Sequence, residues 1–115
     1  MRLAIRARGL ELTDELRAHV MTRIAFALAR FSPRLRRVDV TLEGINGTKG
    51  GIDKVCRVRV RGPGLHDVVV DDRDRDVDVA VDMAASRAGR AVRCAVEAGR
   101  LPRRLASPDR VRPRS

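Results

Sequence analysis

The sequence predicts an α+β fold: a two-layer β-α-β-β-β-α sandwich, with a four-stranded sheet and two helices on one face. Three observations predict it. Four short segments alternate apolar and polar residues at the period of a half-buried strand. Two longer segments repeat apolar residues at spacings of three and four, as an amphipathic helix does. Each strand then has one apolar face and each helix one apolar stripe, and stacking both helices on one side of a single sheet buries them all. At 115 residues and 43% hydrophobic residues, the chain suits one domain with its own core.

The elements follow in order. Leu3, Ile5 and Ala7 alternate with Arg2, Ala4, Arg6 and Arg8, a first strand that Gly9 ends. Thr13 is a good N-cap, and Asp14 and Glu15 place acids in the first turn, where the helix dipole favours them. Leu16, Val20, Ile24, Ala27 and Phe31 form the stripe of the first helix, which Ser32-Pro33 stops. Val38, Val40 and Leu42 mark the second strand, and a glycine-rich loop follows from Gly44 to Gly51. Cys56, Val58 and Val60 alternate with Arg57, Arg59 and Arg61 in the third strand. Gly62-Pro63-Gly64 is a turn, and Leu65 to Asp71 is a fourth strand paired with the third as a hairpin. The second helix begins near Asp74 or Asp76. Its stripe of Val77, Ala80, Val81, Ala84, Ala88, Ala91, Val92 and Ala95 is mostly alanine, which lets the helix lie close to its neighbours.

Charge narrows the function. Lys and Arg number 25 against 15 Asp and Glu, for a formal charge of +10, and 23 of the cations are arginine. Residues 1–61 hold fourteen cations and six acids, whereas residues 67–82 hold seven acids and two arginines. Residues 100–115 hold six arginines, one aspartate and three prolines without periodicity. They divide the chain into a folded domain, 1–99, and a basic tail, 100–115, expected to be disordered. The tail reads either as a solubilising end or as a nonspecific phosphate-binding arm. No apolar run approaches the ~20 residues of a membrane span, and the N-terminus lacks the apolar stretch of a signal peptide. Two cysteines make no disulfide framework. The expectation is a reduced, cytoplasmic domain with a polyanionic partner and no membrane contact.

With the apolar faces turned inward, the open sheet face would show Arg2, Arg6, Arg8, Arg37, Arg57, Arg59 and Arg61, with Asp39 and Glu43 among them. His19, Arg23, Phe26 and Arg30 run down one flank of the first helix, with Arg17 on the other. Arg87, Arg90 and Arg93 step along the solvent side of the second helix. Any single surface arginine is ordinarily a solvated charge or an aspartate's partner, and the strand arginines can pair with the acidic run 67–82. Three clusters in one small basic domain favour nucleic acid. With no Tyr or Trp and only Phe26 and Phe31, there is little for a single-strand binder to stack bases on. No helix-turn-helix or zinc-finger spacing is present. Backbone and shape recognition of folded RNA remains.

Other motifs carry no chemistry. Asp72-x-Asp74-x-Asp76 opens like a calcium loop, but Val77 and Met83 stand where such a loop needs Gly and Glu, so these are helix N-terminal acids. Gly47-Thr48-Lys49-Gly50-Gly51 lacks P-loop spacing. Cys56 faces inward as a small apolar residue, Cys94 lies off the stripe, and His19 and His66 have no ligand-like partners by spacing. Nothing pairs a nucleophile with a base, so no enzyme, metal, cofactor or small-molecule substrate is expected.

The stretch Leu3-x-Ile5-x-Ala7-Arg8-Gly9-Leu10-Glu11-Leu12-Thr13, leading into Leu16-Arg17-x-His19-Val20-x-x-Arg23-Ile24 and then Val38-Asp39-Val40-Thr41-Leu42, resembles the ribosome hibernation promoting factor family. That family is also called ribosome-associated inhibitors or ribosomal subunit interface proteins. Asp76-Val77-Asp78-Val79-Ala80-Val81-Asp82 resembles the segment that opens its second helix, and the likeness spans residues 2 to about 97. Asp78 departs from the aromatic residue usual there, loop 44–53 is longer and richer in glycine, and the run 67–82 is unusually acidic. No second domain follows here, so the resemblance is to the short type. It implies a domain that binds the small ribosomal subunit between head and body, covers mRNA and tRNA positions and silences translation under stress. Carried over by position, Arg8, Arg17, Arg23, Arg87 and Arg90 match the family's rRNA-facing pattern, and Arg93 joins them one turn further along. The alternatives are a general double-stranded RNA-binding domain and a protein-interaction module that uses the acidic segment.

Overall fold

The structure, a computed structural model, describes residues 1–46 and 52–100; the middle of the glycine-rich loop and the basic tail lie outside the described residues. Its elements are β1 (Arg2–Arg8), α1 (Asp14–Leu28), a 3-10 turn (Ala29–Arg34), β2 (Arg37–Asn46), β3 (Ile52–Gly62), β4 (Leu65–Asp74) and α2 (Val77–Arg100). The order is the predicted β-α-β-β-β-α, and the strands lie β1-β2-β3-β4 across one sheet. β1 and β2 are parallel and joined over the sheet by α1, with Leu3 opposite Val38 and Ile5 opposite Val40. The other pairs are antiparallel, with Val40 opposite Val58, Leu42 opposite Cys56 and Val60 opposite Val68.

The sheet's inner face and the two helices share one core. Val38, Val40, Leu42, Cys56, Val58 and Val60 are buried from the sheet, Leu16, Val20, Ile24 and Leu28 from α1, and Ala80, Val81, Ala84, Ala85, Ala88 and Val92 from α2. α1 starts as the sequence dictates: the Leu16 amide donates to Thr13 Oγ1 at 3.1 Å, with Asp14 and Glu15 in the first turn. α2 starts from a chain of aspartates. The Asp76 amide donates to Asp74 Oδ2 and the Asp78 amide to Asp76 Oδ1, both at 2.9 Å. α2 lies close to α1 at Gly89, where an added Cβ would sit 3.0 Å from the Ala27 carbonyl oxygen.

Three boundaries differ from the sequence reading. α1 gives way at Ala29 to a 3-10 turn that contains Pro33, so the helix stops before Ser32-Pro33. Proline has no N–H for an α-helical bond and its ring clashes with the carbonyl four residues back, which the tighter turn avoids. Leu28, expected outside the stripe, is fully buried in that last turn. β2 runs on through Gly44 and Ile45 to Asn46, because β3 begins at Ile52 and gives those residues Lys54, Asp53 and Ile52 as ladder partners. β4 runs three residues further, to Asp74, with Asp71 opposite Arg57 and Asp74 opposite Lys54. Opposite charges across strands favour the pairing, and a charged edge strand discourages further strand addition.

Candidate nucleic-acid interface

The open face of the sheet is less cationic than its arginines suggest. Arg37 Nε donates to Asp39 Oδ1 at 2.9 Å, and Arg61 Nη2 donates to Asp39 Oδ2 at 3.0 Å. Burial acts to raise the Asp39 pKa, but the hydrogen bonds from Arg37 and Arg61 outweigh it and hold the carboxyl below the usual range. Arg57 Nη2 lies 3.3 Å from Asp71 Oδ2, and Arg59 is hydrogen-bonded to Asp67, whose carboxyl it likewise holds below the usual range. Arg73 reaches Asp53 at 3.8 Å. The acidic segment therefore folds back onto β3 as a partner for its arginines. Arg2, Arg6 and Arg8 have no carboxylate within 4.0 Å among the described residues.

The helix layer is arranged differently. α1 and α2 leave a groove of about 250 Å³ between them, lined by Arg23, Phe26, Ala27, Arg30, Phe31, Ala85, Ser86, Gly89, Arg90 and Arg93. Small residues at 27, 85 and 89 form its floor, and four guanidiniums stand along its walls. Arg30, Arg90 and Arg93 pair with no carboxylate among the described residues. Arg90 Nη1 donates to Ser86 Oγ at 3.0 Å, one turn back on the same helix, and the Arg30 guanidinium carbon sits 5.7 Å from the Phe31 ring centroid. Arg23 Nε lies 3.2 Å from Asp82 Oδ1 without hydrogen-bond alignment; that oxygen accepts instead from His19 Nε2 at 2.9 Å.

The six arginines singled out by sequence fall into four places. Arg23, Arg90 and Arg93 meet at the α1–α2 groove. Arg87 is on the β4 side of α2, with Nη2 3.2 Å from Asp72 Oδ1, and borders an adjoining hollow with Arg90, Ser86, Met83, Asp82 and Asp72. Arg17 is exposed on α1 one residue after the buried Leu16, on the flank away from α2. Arg8 is exposed at the end of β1, opposite Glu43 on β2, on the sheet face turned away from the helices. The structure thus brings together three of the six, sets Arg87 beside them, and leaves Arg8 and Arg17 apart.

Sequence reasoning placed Phe26 and Arg30 on the flank of α1 but did not make them part of the site. Phe26 is 78% exposed, the most exposed large apolar side chain described. The available signal was its place in line with Arg23 and Arg30 rather than with the apolar stripe. Of the remaining reactive groups, Cys56 is buried and its thiol is pushed up to about 12, by burial first and then by the nearby Asp72 charge, whereas Cys94 is exposed. Among the described residues no three His, Cys, Asp or Glu side chains converge on a metal position, and no helix is long and apolar enough to cross a membrane.

Comparison with known proteins agrees with this architecture. The sequence pattern of the family described as Sigma 54 modulation protein / S30EA ribosomal protein matches residues 3–98. No curated protein matches the chain. Among solved structures, the N-terminal domain of Protein Y from Thermus thermophilus superposes with a TM-score of 0.66 at 25% identity, over 82% of this chain and 98% of that one. A ribosomal subunit interface protein from Coxiella burnetii superposes with a TM-score of 0.70 over 84% of this chain and 99% of that one; at 14% identity the likeness concerns the fold alone.

Proposed function

The chain belongs to the Sigma 54 modulation protein / S30EA ribosomal protein family, and we propose that it is a ribosome hibernation factor that binds small-subunit rRNA through the arginines of its helix layer. The observation that carries this reading is the α1–α2 groove, where Arg30, Arg90 and Arg93 stand without carboxylate partners among the described residues. A planar guanidinium that no carboxylate has claimed suits phosphate oxygens, which an A-form RNA surface presents in rows. The protein acts by occupancy. Arg90, Arg93 and Arg23 anchor it, Arg87 and Arg17 flank them, and the rigid sandwich fills space that mRNA and tRNA need. The folded unit, residues 1–99, carries the binding, Arg8 touches rRNA only if the sheet's far side is also enclosed, and the tail, 100–115, adds nonspecific phosphate contacts.

The same geometry weighs against docking through the acidic segment. Asp67, Asp71, Asp72 and Asp82 are each held against an arginine, and Asp74 and Asp76 accept from backbone amides at the start of α2. The test is co-sedimentation with small ribosomal subunits over a salt series, with excess duplex RNA present. If about six phosphates are neutralised, affinity falls roughly a thousandfold between about 50 and about 200 mM salt. The double variant Arg90→Glu/Arg93→Glu, both exposed and free of carboxylates, should stop sedimenting while its circular dichroism stays native. Retained sedimentation would reject the groove as the binding surface, and loss of wild-type binding to competing duplex would favour a general RNA binder.

A further inference from the structure

Phe26 poses a problem that backbone recognition does not answer. A phenyl ring 78% exposed on a helix gives nothing to the core and costs hydration free energy. It stands in the groove with Arg23, Arg30, Arg90 and Arg93, beside a small-residue floor. At about 250 Å³ the groove is smaller than the roughly 300–1,000 Å³ of drug-sized ligand sites. That scale suits one planar ring system, not a helix or a long peptide. An aromatic face offers stacking, and guanidiniums beside it offer bonds to phosphate; a nucleotide carries both complements in one unit. A duplex cannot use the ring, because its base faces are already stacked.

We propose that the groove receives a single unpaired nucleotide of RNA, with its base against Phe26 and its flanking phosphates between Arg30, Arg90 and Arg93. This deepens the reading above and rests on its claim that the groove meets RNA. It makes recognition partly dependent on RNA structure: a bulged or looped-out base is preferred to a continuous helix. An acidic peptide with an apolar anchor is the competing occupant. The row of phosphate-suited donors around a shallow ring favours the nucleotide.

The experiment compares two RNA hairpins of equal length, one fully paired and one with a single bulged nucleotide that carries a fluorescent base analogue. The proteins are wild type, Phe26→Ala and Phe26→Tyr. Because Phe26 is exposed, the variants should fold, as far-ultraviolet circular dichroism will verify. The wild type should bind the bulged hairpin more tightly and quench its analogue. Phe26→Ala should lose roughly tenfold or more on the bulged hairpin, the effect of one lost base stack, and little on the paired one; Phe26→Tyr should restore both quenching and affinity. Equal wild-type affinity for the two hairpins, or equal losses on both in Phe26→Ala, would overturn the inference. So would unchanged RNA binding in Phe26→Ala alongside lost binding to ribonuclease-stripped ribosomal protein. A wild type that sediments with subunits yet shows no bulge preference sinks this inference alone, whereas one that prefers the bulge but ignores subunits sinks the ribosomal reading alone.

Discussion

Asp72→Asn should tighten RNA binding without loss of stability, whereas Arg87→Gln should weaken both. Asp72 lies on β4 opposite Cys56, on the side facing α2, and its side chain is only 7% exposed. Its Oδ1 is 3.2 Å from Arg87 Nη2, and its Oδ2 is buried with no hydrogen-bond partner. Removing the cation leaves a buried carboxylate uncompensated, which costs about 3–5 kcal/mol when both partners are buried. Arg87 is 54% exposed, so water shares the load and about 2 kcal/mol is the fitting figure. For a domain of this size that is a fall of roughly 8–16 °C in Tm. Asparagine at 72 keeps the shape, removes the charge and frees Arg87 for a phosphate. One more phosphate contact steepens the plot of log K against log salt by roughly 0.7–0.9.

The assay is a double-mutant cycle, with thermal unfolding and RNA affinity over a salt series for Asp72→Asn, Arg87→Gln and the pair. Stability should be non-additive: the double variant should recover most of what Arg87→Gln loses, because no buried charge remains. Binding should not recover. Glutamine is used because glutamate at 87 would set a second carboxylate against Asp72 and confuse misfolding with lost contact. An Arg87→Gln protein as stable as wild type would refute the burial argument, and Asp72→Asn with weaker RNA binding would refute the competition for Arg87.

Two further outcomes test the fold. In the native protein a soluble disulfide reagent at neutral pH should titrate one thiol, Cys94, and under denaturant two. Because the Cys56 pKa is raised from 9.0 to about 12 in the fold, its contribution to stability is complete below pH 9 and should decline as pH rises from 9 towards 12, a loss that Cys56→Ala should not show. Gly9→Ala should destabilise by about 2 kcal/mol or more in urea unfolding: φ is +70°, where other residues cost ~1–2 kcal/mol, and the new Cβ would meet the Gly44 carbonyl oxygen at 2.7 Å. Gly64→Ala, at φ +74° in open space, should show the conformational part alone, and equal losses at the two sites would remove the steric argument.

The strands were legible because their chemistry is local. Val38, Val40 and Leu42, then Cys56, Val58 and Val60, alternate with charged neighbours, and a period of two assigns their faces without knowledge of partners. The start of α1 was legible for the same reason, since Thr13 and two acids act within one turn. Its end was legible only in part: Leu28 continues the spacing of four from Leu16, Val20 and Ile24, whereas Ala27, about 100° round the helix from it, meets α2 at Gly89, a contact set by how the helices cross. The site suffered most. The pairing of Arg57 with Asp71 and of Arg59 with Asp67 is a consequence of β3–β4 register, and Arg87 meets Asp72 only because α2 lies along β4. Periodicity finds an exposed arginine, but it cannot say whether a carboxylate from another strand has already taken it.

That distinction gives the molecule a direction. Its +10 charge is not a shell. Carboxylates on β2 and β4 answer Arg37, Arg57, Arg59 and Arg61 of the sheet's open face and leave Arg2, Arg6 and Arg8 of β1 without carboxylate partners among the described residues, so the field there is that of a mosaic. On the helix layer Arg17, Arg30, Arg90 and Arg93 face solvent without carboxylate partners among the described residues, and Arg23 and Arg87 are held by single contacts that a phosphate can replace. Salt dependence measures the difference, since only cations that gain a phosphate release counterions. A domain that uses the four unpaired helix arginines should give a slope of roughly 3, and one that also surrenders both ion pairs roughly 4–5, at about 0.7–0.9 per contact. If Asp72→Asn leaves a slope near 3 unchanged, Arg87 meets no phosphate even when freed from its carboxylate, and the groove binds alone. If the slope is already near 5 in the wild type, RNA binding breaks the Arg87 pair, and the stability that pair supplies is part of what binding must overcome.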